Sequence, residues 1–346
     1  MGGKKMTDRR RAFTLIFAAV CVYWMAVSGS FERAAEAAAE RAEDSRMESV
    51  TVLTSEEETP PVPQTPLPEP TPVPEDACEP IYYVEEVNVT ARPISGEVEE
   101  TTITGGLSMK NETAYTVDIA DAISHGTSVR LPAEGPQVII IHTHSSEAYT
   151  QAWLDRYQES DNCRTEDKLY NIIRIGDELT AIFEQEGISV IHDREIYDYP
   201  SYTGSYSRSG AAVEAYLAQY PDIEVVIDVH RDALGSGDVV YKTMAEENGV
   251  VASQVMMLAG TDESGLDHPN WRENLSLVLY LQNAVNSAYP TLMRPVTLVP
   301  QRYNQNLAPG MFILEVGCSG NTLQEALAGV RLYAKAAAGA LLQLAE

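Results

Sequence analysis

"VIIIHTHSSEAY", Val138–Tyr149, opens with four apolar residues, places His142 and His144 two apart, and adds Glu147 three residues later. An apolar run of this length predicts a strand buried on both faces, the kind found in a parallel sheet covered by helices. The chain has six histidines, and two of them close this strand.

Working outward, the pattern alternates. "NIIRIGDELTAIFEQEG" has apolar residues at helical spacing and ends at Gly187. "ISVIHDR" predicts a strand, "SRSGAAVEAYLAQYP" a helix beginning after Ser209, and "IEVVIDVH" another strand. "NLSLVLYLQNAVNSAYP" reads as a strand or helix start running into a helix. "MFILEVG" predicts a strand and "TLQEALAGVRLYAKAAAGALLQLAE" a terminal helix. Strands alternating with helices imply an α/β fold with a largely parallel, helix-covered sheet over 136–346. The preceding 81–135 reads as a small β-rich segment with one short helix, packed on the 136–346 unit.

The N-terminal third has another character. A basic tail over 1–11 carries Lys4, Lys5, Arg9, Arg10 and Arg11. Residues 12–31, "AFTLIFAAVCVYWMAVSGSF", come close to the about 20 apolar residues that span a bilayer. Cations on the near side predict a cytoplasmic N-terminus and an exported remainder, a single-pass arrangement. A cleaved signal peptide is the rival, with small residues at Ala26–Ser28 and a faint twin-arginine echo in "RRAFT". Tyr23, Trp24 and Met25 make a poor cleavage region, so the uncleaved transmembrane anchor is preferred. Residues 32–80 are Ala/Glu-rich and then acidic and proline-rich, the composition of an extended spacer.

The 346-residue chain carries 24 Lys and Arg against 51 Asp and Glu, a formal net charge of −27. Nucleic-acid backbones need the opposite balance, so no nucleic-acid partner is expected. Cys21, Cys78, Cys163 and Cys318 have no CxxC spacing, which argues against a cysteine zinc site or a redox motif.

Ligands of open α/β sheets bind outside the carboxyl ends of the strands. Three strands end in the chain's rare chemistry: at His142 and His144, at His230 with Asp228 and Asp232 beside it, and at Glu315. Imidazoles with a carboxylate suit Zn²⁺, and a catalytic site needs three protein ligands and one open position. A further carboxylate there can serve as general base. Glu315 follows "MFIL", an odd setting for a solvated acid. The first carboxylate ligand could be Glu147, Glu166 or Asp167, and spacing alone does not decide. Asp228 is expected to face away from His230 along the strand. His192 is read as structural, and His125 and His268 as solvated loop residues.

"EDKLYNIIRIGDELTAIFEQEGISVIHDR", "VVIDVHRDA" and "FILEVGCSGNTLQEAL" resemble, in order, the helix-and-strand pattern, the second histidine strand and the catalytic-glutamate strand of zinc-dependent N-acetylmuramoyl-L-alanine amidases. Within that group, "HTHSSEAY", "RYNQNLAPG" and the anchored, spacer-bearing layout resemble the stage II sporulation protein P family. The resemblance implies hydrolysis of the amide joining the lactyl group of N-acetylmuramic acid to L-alanine, and a second, endopeptidase activity on peptide cross-links. It implies peptidoglycan as substrate, Zn²⁺ as cofactor, and sporulation proteins D and M as partners at the engulfing membrane. It makes His230 a ligand and Glu315 the catalytic acid/base. It aligns His144 with the first ligand, leaving His142 a substitute ligand or a supporting group. The acid four residues before Asn171 is Asp167, a shorter side chain than the family's glutamate, with Glu166 adjacent.

Two alternatives stand beside this reading: a zinc peptidase acting only on stem peptides, and a non-catalytic wall-binding scaffold. The scaffold has no need of His144, His230 and Glu315 together. A nucleophilic hydrolase is weaker still, since no GxSxG occurs and Cys318 merely follows a strand.

Overall fold

The computed structural model describes residues 101–104, 107–150, 163–236 and 239–345, with side chains left undescribed at 101–104 and 235–240. The expected tail, anchor and spacer lie outside the described residues. Among the described residues no helix is long and apolar enough to cross a membrane.

"VIII" forms β3, Val138–Ile141, buried at every position as its composition requires. It leads to helix α2, Ile172–Gln185, whose start is fixed by Asn171, the side chain of which accepts from the Ile173 amide at 3.0 Å. Gly187, at φ 97°, takes the left-handed conformation that ends this helix. Strand β4, Val190–His192, follows. Helix α3, Ser205–Gln219, starts five residues before the sequence expectation. Its N-cap is Gly204, which offers no side-chain hydrogen bond, so the sequence carries no polar start signal there.

Strand β5 is Val225–Asp232, buried throughout. Two short pairs come next, β6 (Gly235–Ser236) with β7 (Val239–Val240), and β8 (Met244–Glu247) with β9 (Val250–Ser253). Strand β10 is Val255–Gly260. The ambiguous "NLSLVLYLQNAVNSA" is helical throughout, inside α4, Trp271–Ala288. Strands β11 (Val296–Val299) and β12 (Gly310–Cys318) precede α5, Leu323–Leu342, which opens on a capping box between Thr322 and Glu325. Ahead of all this lie β1 (Thr101–Thr104), β2 (Leu107–Asn111) and the short helix α1 (Ile119–Ser124).

One eight-stranded sheet runs β1-β2-β11-β10-β12-β5-β3-β4. Five of its seven neighbouring pairs are parallel; β1 with β2 and β10 with β12 are antiparallel. Thus β12, β5, β3 and β4 share one direction, while β10, β11 and β2 run the other way. Strand β2 pairs with β11, so the strands ahead of residue 136 extend the same sheet.

Alternate residues face opposite sides. Val138, Ile140, Ile227, Val229 and Leu314 join the large core with α2, α4 and α5. Ile139, Ile141, Val226 and Met311 pack with Val213 of α3 on the other side. Burying one such aliphatic side chain is worth about 1.5–3 kcal/mol, so the strand ends inherit a rigid frame.

Candidate metal centre

Strands β3, β5 and β12 lie side by side and point the same way, so their carboxyl ends meet at one edge. His144 lies in the turn just past β3, His230 near the end of β5, and Glu315 directly opposite His230 in the β5–β12 register.

Glu147 reaches this edge because its loop is stitched down. Its backbone bridges to Arg164, Ala148 bridges to Asn171, and the Ile172 amide donates to its carbonyl at 2.7 Å. One Glu147 carboxylate oxygen lies 3.5 Å from His144 Nδ1 and 3.4 Å from an Arg164 nitrogen. The other accepts from the Arg231 amide at 3.1 Å and lies 3.7 Å from His230 Nδ1. His144, Glu147 and His230 can each offer a ligand atom with all three atoms within 4.8 Å of one another. Zinc bonds of about 2.0–2.1 Å at tetrahedral angles require donors about 3.4 Å apart, close to these contacts, and two imidazoles with a carboxylate are a zinc donor set. The residues fit the ion.

The acids around the cluster are strongly polarised. Burial pushes the Glu147 carboxyl up, but Arg231, His144 and His230 outweigh it and hold it well below the usual carboxylate range. Burial lowers the His230 imidazole, yet Asp228, Glu147 and Glu315 raise it to about 9. Glu315 is pushed up to about 8 by burial and by the negative charges of Asp232 and Glu147, against His230 and Arg294. Its Oε2 is shut from solvent and has no hydrogen-bond partner among the described residues, the condition of a carboxyl that takes up a proton readily.

The expectation for Asp228 is corrected. Residues two apart on a strand share a face, and Asp228 Oδ1 lies 2.9 Å from His230 Nε2, close in distance but oblique to the ring N–H. The same carboxylate accepts from the Thr143 amide at 2.8 Å and from the Thr143 hydroxyl at 2.6 Å. One buried acid therefore holds the turn that carries His144 and faces the ring of His230.

His142 and Asp167, both expected as ligands, stand outside the cluster. His142 is fully buried; its Nδ1 meets the Val229 carbonyl at 3.0 Å and its Nε2 meets His192 Nε2 at 2.9 Å. Gly176 of α2 makes room for this pair, since a β-carbon there would collide with both rings. Asp167 turns into its own loop and accepts from the Leu169 amide at 3.0 Å. Glu166 is exposed, and the carboxylate grouped with His144 and His230 is that of Glu147. His192 is structural, bridging His142 and Asp177. His125 is exposed, but His268 is fully buried, contrary to expectation.

Aromatic rings, absent from the sequence reading of the site, wall it in. Tyr202 stacks on His144 with centroids 4.6 Å apart, and Tyr206 meets the same ring edge-on at 5.3 Å. Tyr206 also lies 6.5 Å from His230 and 5.3 Å from Tyr303. Tyr303 belongs to "RYNQNLAPG", where Asn304 donates to the Tyr206 carbonyl and Gln305 bonds the Gly260 amide. Cys318 is a free, buried thiol donating to the Tyr241 carbonyl, and burial pushes its pKa up, so it makes no nucleophile.

Fold and donor set together define a mostly parallel α/β protein with a His/Glu/His centre suited to hydrolysis. The chain belongs to the stage II sporulation protein P family, whose model matches residues 43–338. It is 26% identical to stage II sporulation protein P of Bacillus subtilis (strain 168) over 199 residues, 54% of this chain and 47% of that protein, so the match spans about half the length of the curated relative. Among solved structures it is similar to N-acetylmuramoyl-L-alanine amidase AmiC2 of Nostoc punctiforme (14% identity, TM-score 0.35, 61% of this chain and 97% of that one). It is also similar to an N-acetylmuramoyl-L-alanine amidase from Clostridium difficile 630 (15% identity, TM-score 0.34, 61% and 95%). A third is the CwlD amidase of Clostridioides difficile, solved in complex with the GerS lipoprotein (12% identity, TM-score 0.33, 60% and 98%).

Proposed function

We propose that this chain is a zinc-dependent peptidoglycan hydrolase that cleaves the N-acetylmuramoyl-L-alanine amide during sporulation. The observation that carries the reading is the grouping of His144, Glu147 and His230 with Glu315 in register beside His230. His144, Glu147 and His230 would hold the ion; bound there, zinc supplies a Lewis acid and acidifies a water.

The remaining work falls to the chain. In its carboxylate form Glu315 takes a proton at Oε2 from the attacking water as that water's oxygen bonds to the amide carbon, and delivers it to the amide nitrogen as the C–N bond breaks, since the nitrogen leaves only when protonated. Asp228 keeps Thr143 and His230 in place. Tyr202 and Tyr206 flank the cluster and limit water around the reacting amide.

The same reading includes endopeptidase cleavage of stem-peptide cross-links, a membrane anchor over 12–31 with the catalytic part outside the cytoplasm, and sporulation proteins D and M as partners. Mass spectrometry of digested intact wall tests it. Free stem peptides with intact glycan strands are the expected products; cut cross-links alone would replace the amidase with a peptidase. Protease added outside the membrane should digest the chain from Glu32 onward, and full-length protein in the cytosol would refute the anchor.

A further inference from the structure

Three arginines border the site, and they differ in what their guanidinium groups have left to offer. Arg231 is buried and gives Nε to the Ala148 carbonyl at 2.8 Å and an Nη to the Cys163 carbonyl at 3.3 Å. Arg164 is engaged by Asp198 at 2.6 Å, by the Ser146 hydroxyl at 3.3 Å and by Glu147 at 3.4 Å. Arg294 gives Nη1 to Asp232 at 2.9 Å, and among the described residues no acceptor takes its Nε or its second Nη. A guanidinium presents five donors in a rigid plane matched to a carboxylate, so Arg294 has a fork to spare.

Its position is fixed from both ends. The Arg294 amide donates to Val255 at the start of β10 at 2.8 Å, and its carbonyl accepts from Gln282 at 3.1 Å. The side chain then reaches Asp232, the last residue of β5, on the far side of β12. Asp232 is itself held, its carboxylate accepting from the Ala233 amide at 2.7 Å and its carbonyl from Ser319 at 2.8 Å. Strand β12 carries Glu315, so the guanidinium crosses the sheet edge beside the proton-transfer group. It arrives from the β10–β11 side, whereas His144 follows β3 on the opposite side. Asp232 lies two residues beyond His230 on the same face, about 6.7 Å along the strand, and the Arg294 side chain remains 13% exposed.

We propose that Arg294 is the receptor for a substrate carboxylate on the peptide side of the scissile amide, within about two extended residues of it at 3.3–3.6 Å per residue. The inference rests on the amidase reading above. In that substrate the lactyl carboxyl is consumed by the amide and the sugar amine is acylated, so acid groups remain only on the peptide. The site is otherwise rich in carboxylates (Glu147, Asp228, Asp232 and Glu315) in a chain of net charge −27. An acidic peptide would be repelled there without a dedicated cation.

Calorimetry with two synthetic tripeptides tests this. Both begin with L-alanine and are identical except that one carboxylate on the second residue is free or converted to its carboxamide. The zinc-loaded wild type should bind the free acid about tenfold more tightly, the worth of a partly exposed charge-assisted hydrogen bond. Arg294→Gln should bind the two equally, and Arg294→Lys, a point charge without the fork, should fall between. Equal binding by the wild type overturns the proposal without recourse to any variant, as does a preference that survives in Arg294→Gln. Matched N-acetylmuramoyl peptides separate the two readings. If neither is hydrolysed while the binding preference holds, the amidase reading fails and the carboxylate receptor stands; if both are hydrolysed at equal efficiency and bound equally, the receptor fails and the amidase stands.

Discussion

His142 and His144 are separated by one threonine, yet the fold treats them oppositely. His142 points into the sheet and meets His192 and a backbone carbonyl, and its pKa is driven down to about 3, chiefly by burial and then by His192. His144 follows the turn held by Asp228 and faces Glu147, His230 and Tyr202. The same residue type in the same motif becomes a neutral core contact at one position and a potential ligand at the other. A protein carbonyl and an imidazole already satisfy the nitrogens of His142, whereas those of His144 look onto other donors.

That contrast can be broken by substitution. His144→Ala should abolish both stoichiometric zinc binding and hydrolysis. His142→Gln should keep zinc and lose about 1–3 kcal/mol of stability, because it disturbs the buried partners at Val229 and His192. Metal analysis and urea unfolding of the pair check this; loss of zinc in His142→Gln alone would reverse the assignment.

Next in size is Glu315→Gln, which keeps shape and hydrogen-bonding capacity without carrying a proton. Turnover should fall on the order of 10²–10⁴-fold with zinc retained. Loss of zinc would make Glu315 a ligand. Asp228→Asn should be milder, weakening zinc by about 10–100-fold in equilibrium dialysis, as expected when the carboxylate behind a ligating histidine is lost. An unchanged affinity would leave Asp228 a purely architectural residue.

A further effect is on acid stability. His142 and His268 have folded pKa values of about 3 and about 4, both lowered chiefly by burial from the ordinary 6.5. Above pH 6.5 both states are neutral and nothing is gained. Below it the unfolded chain takes up protons that the native protein refuses, so stability falls as the pH drops from 6.5 toward 4, by about 1.4 kcal/mol per pH unit per histidine. Urea unfolding of the apo protein across that range should show the slope, and His142→Gln should remove about one proton's share.

The α/β pattern was legible wherever an element announced itself. "VIII", "VVIDVH" and "MFILEVG" are too apolar to be anything but buried strands, and Asn171 and the Thr322/Glu325 pair mark helix starts. Helix α3 was misplaced because its Gly204 cap is silent. Strands β10 and β11 escaped the reading, since "VMMLAG" and "VTLV" are short and lack alternation. The hairpin between β8 and β9 was missed although Asn248–Gly249, both at positive φ, is a strong turn signal.

In the candidate site, the nearness of His144, His230 and Glu315 was legible because β3, β5 and β12 are parallel neighbours whose carboxyl ends share one edge. The carboxylate could not be chosen from spacing. Asn171 is drawn to Ala148 by a backbone bridge, and that pairing sets Glu147 beside the histidines while Asp167 is left in the turn outside. The arginine and tyrosine surroundings come from segments far apart in sequence and leave no local pattern.

The identity of the acid that completes the centre is therefore decisive. Zinc content should be measured in Glu147→Ala and Asp167→Ala side by side. The structure predicts that Glu147→Ala loses the ion while Asp167→Ala retains about one per chain, the stoichiometry of a single three-ligand site. Zinc retained in Glu147→Ala and lost in Asp167→Ala would contradict it.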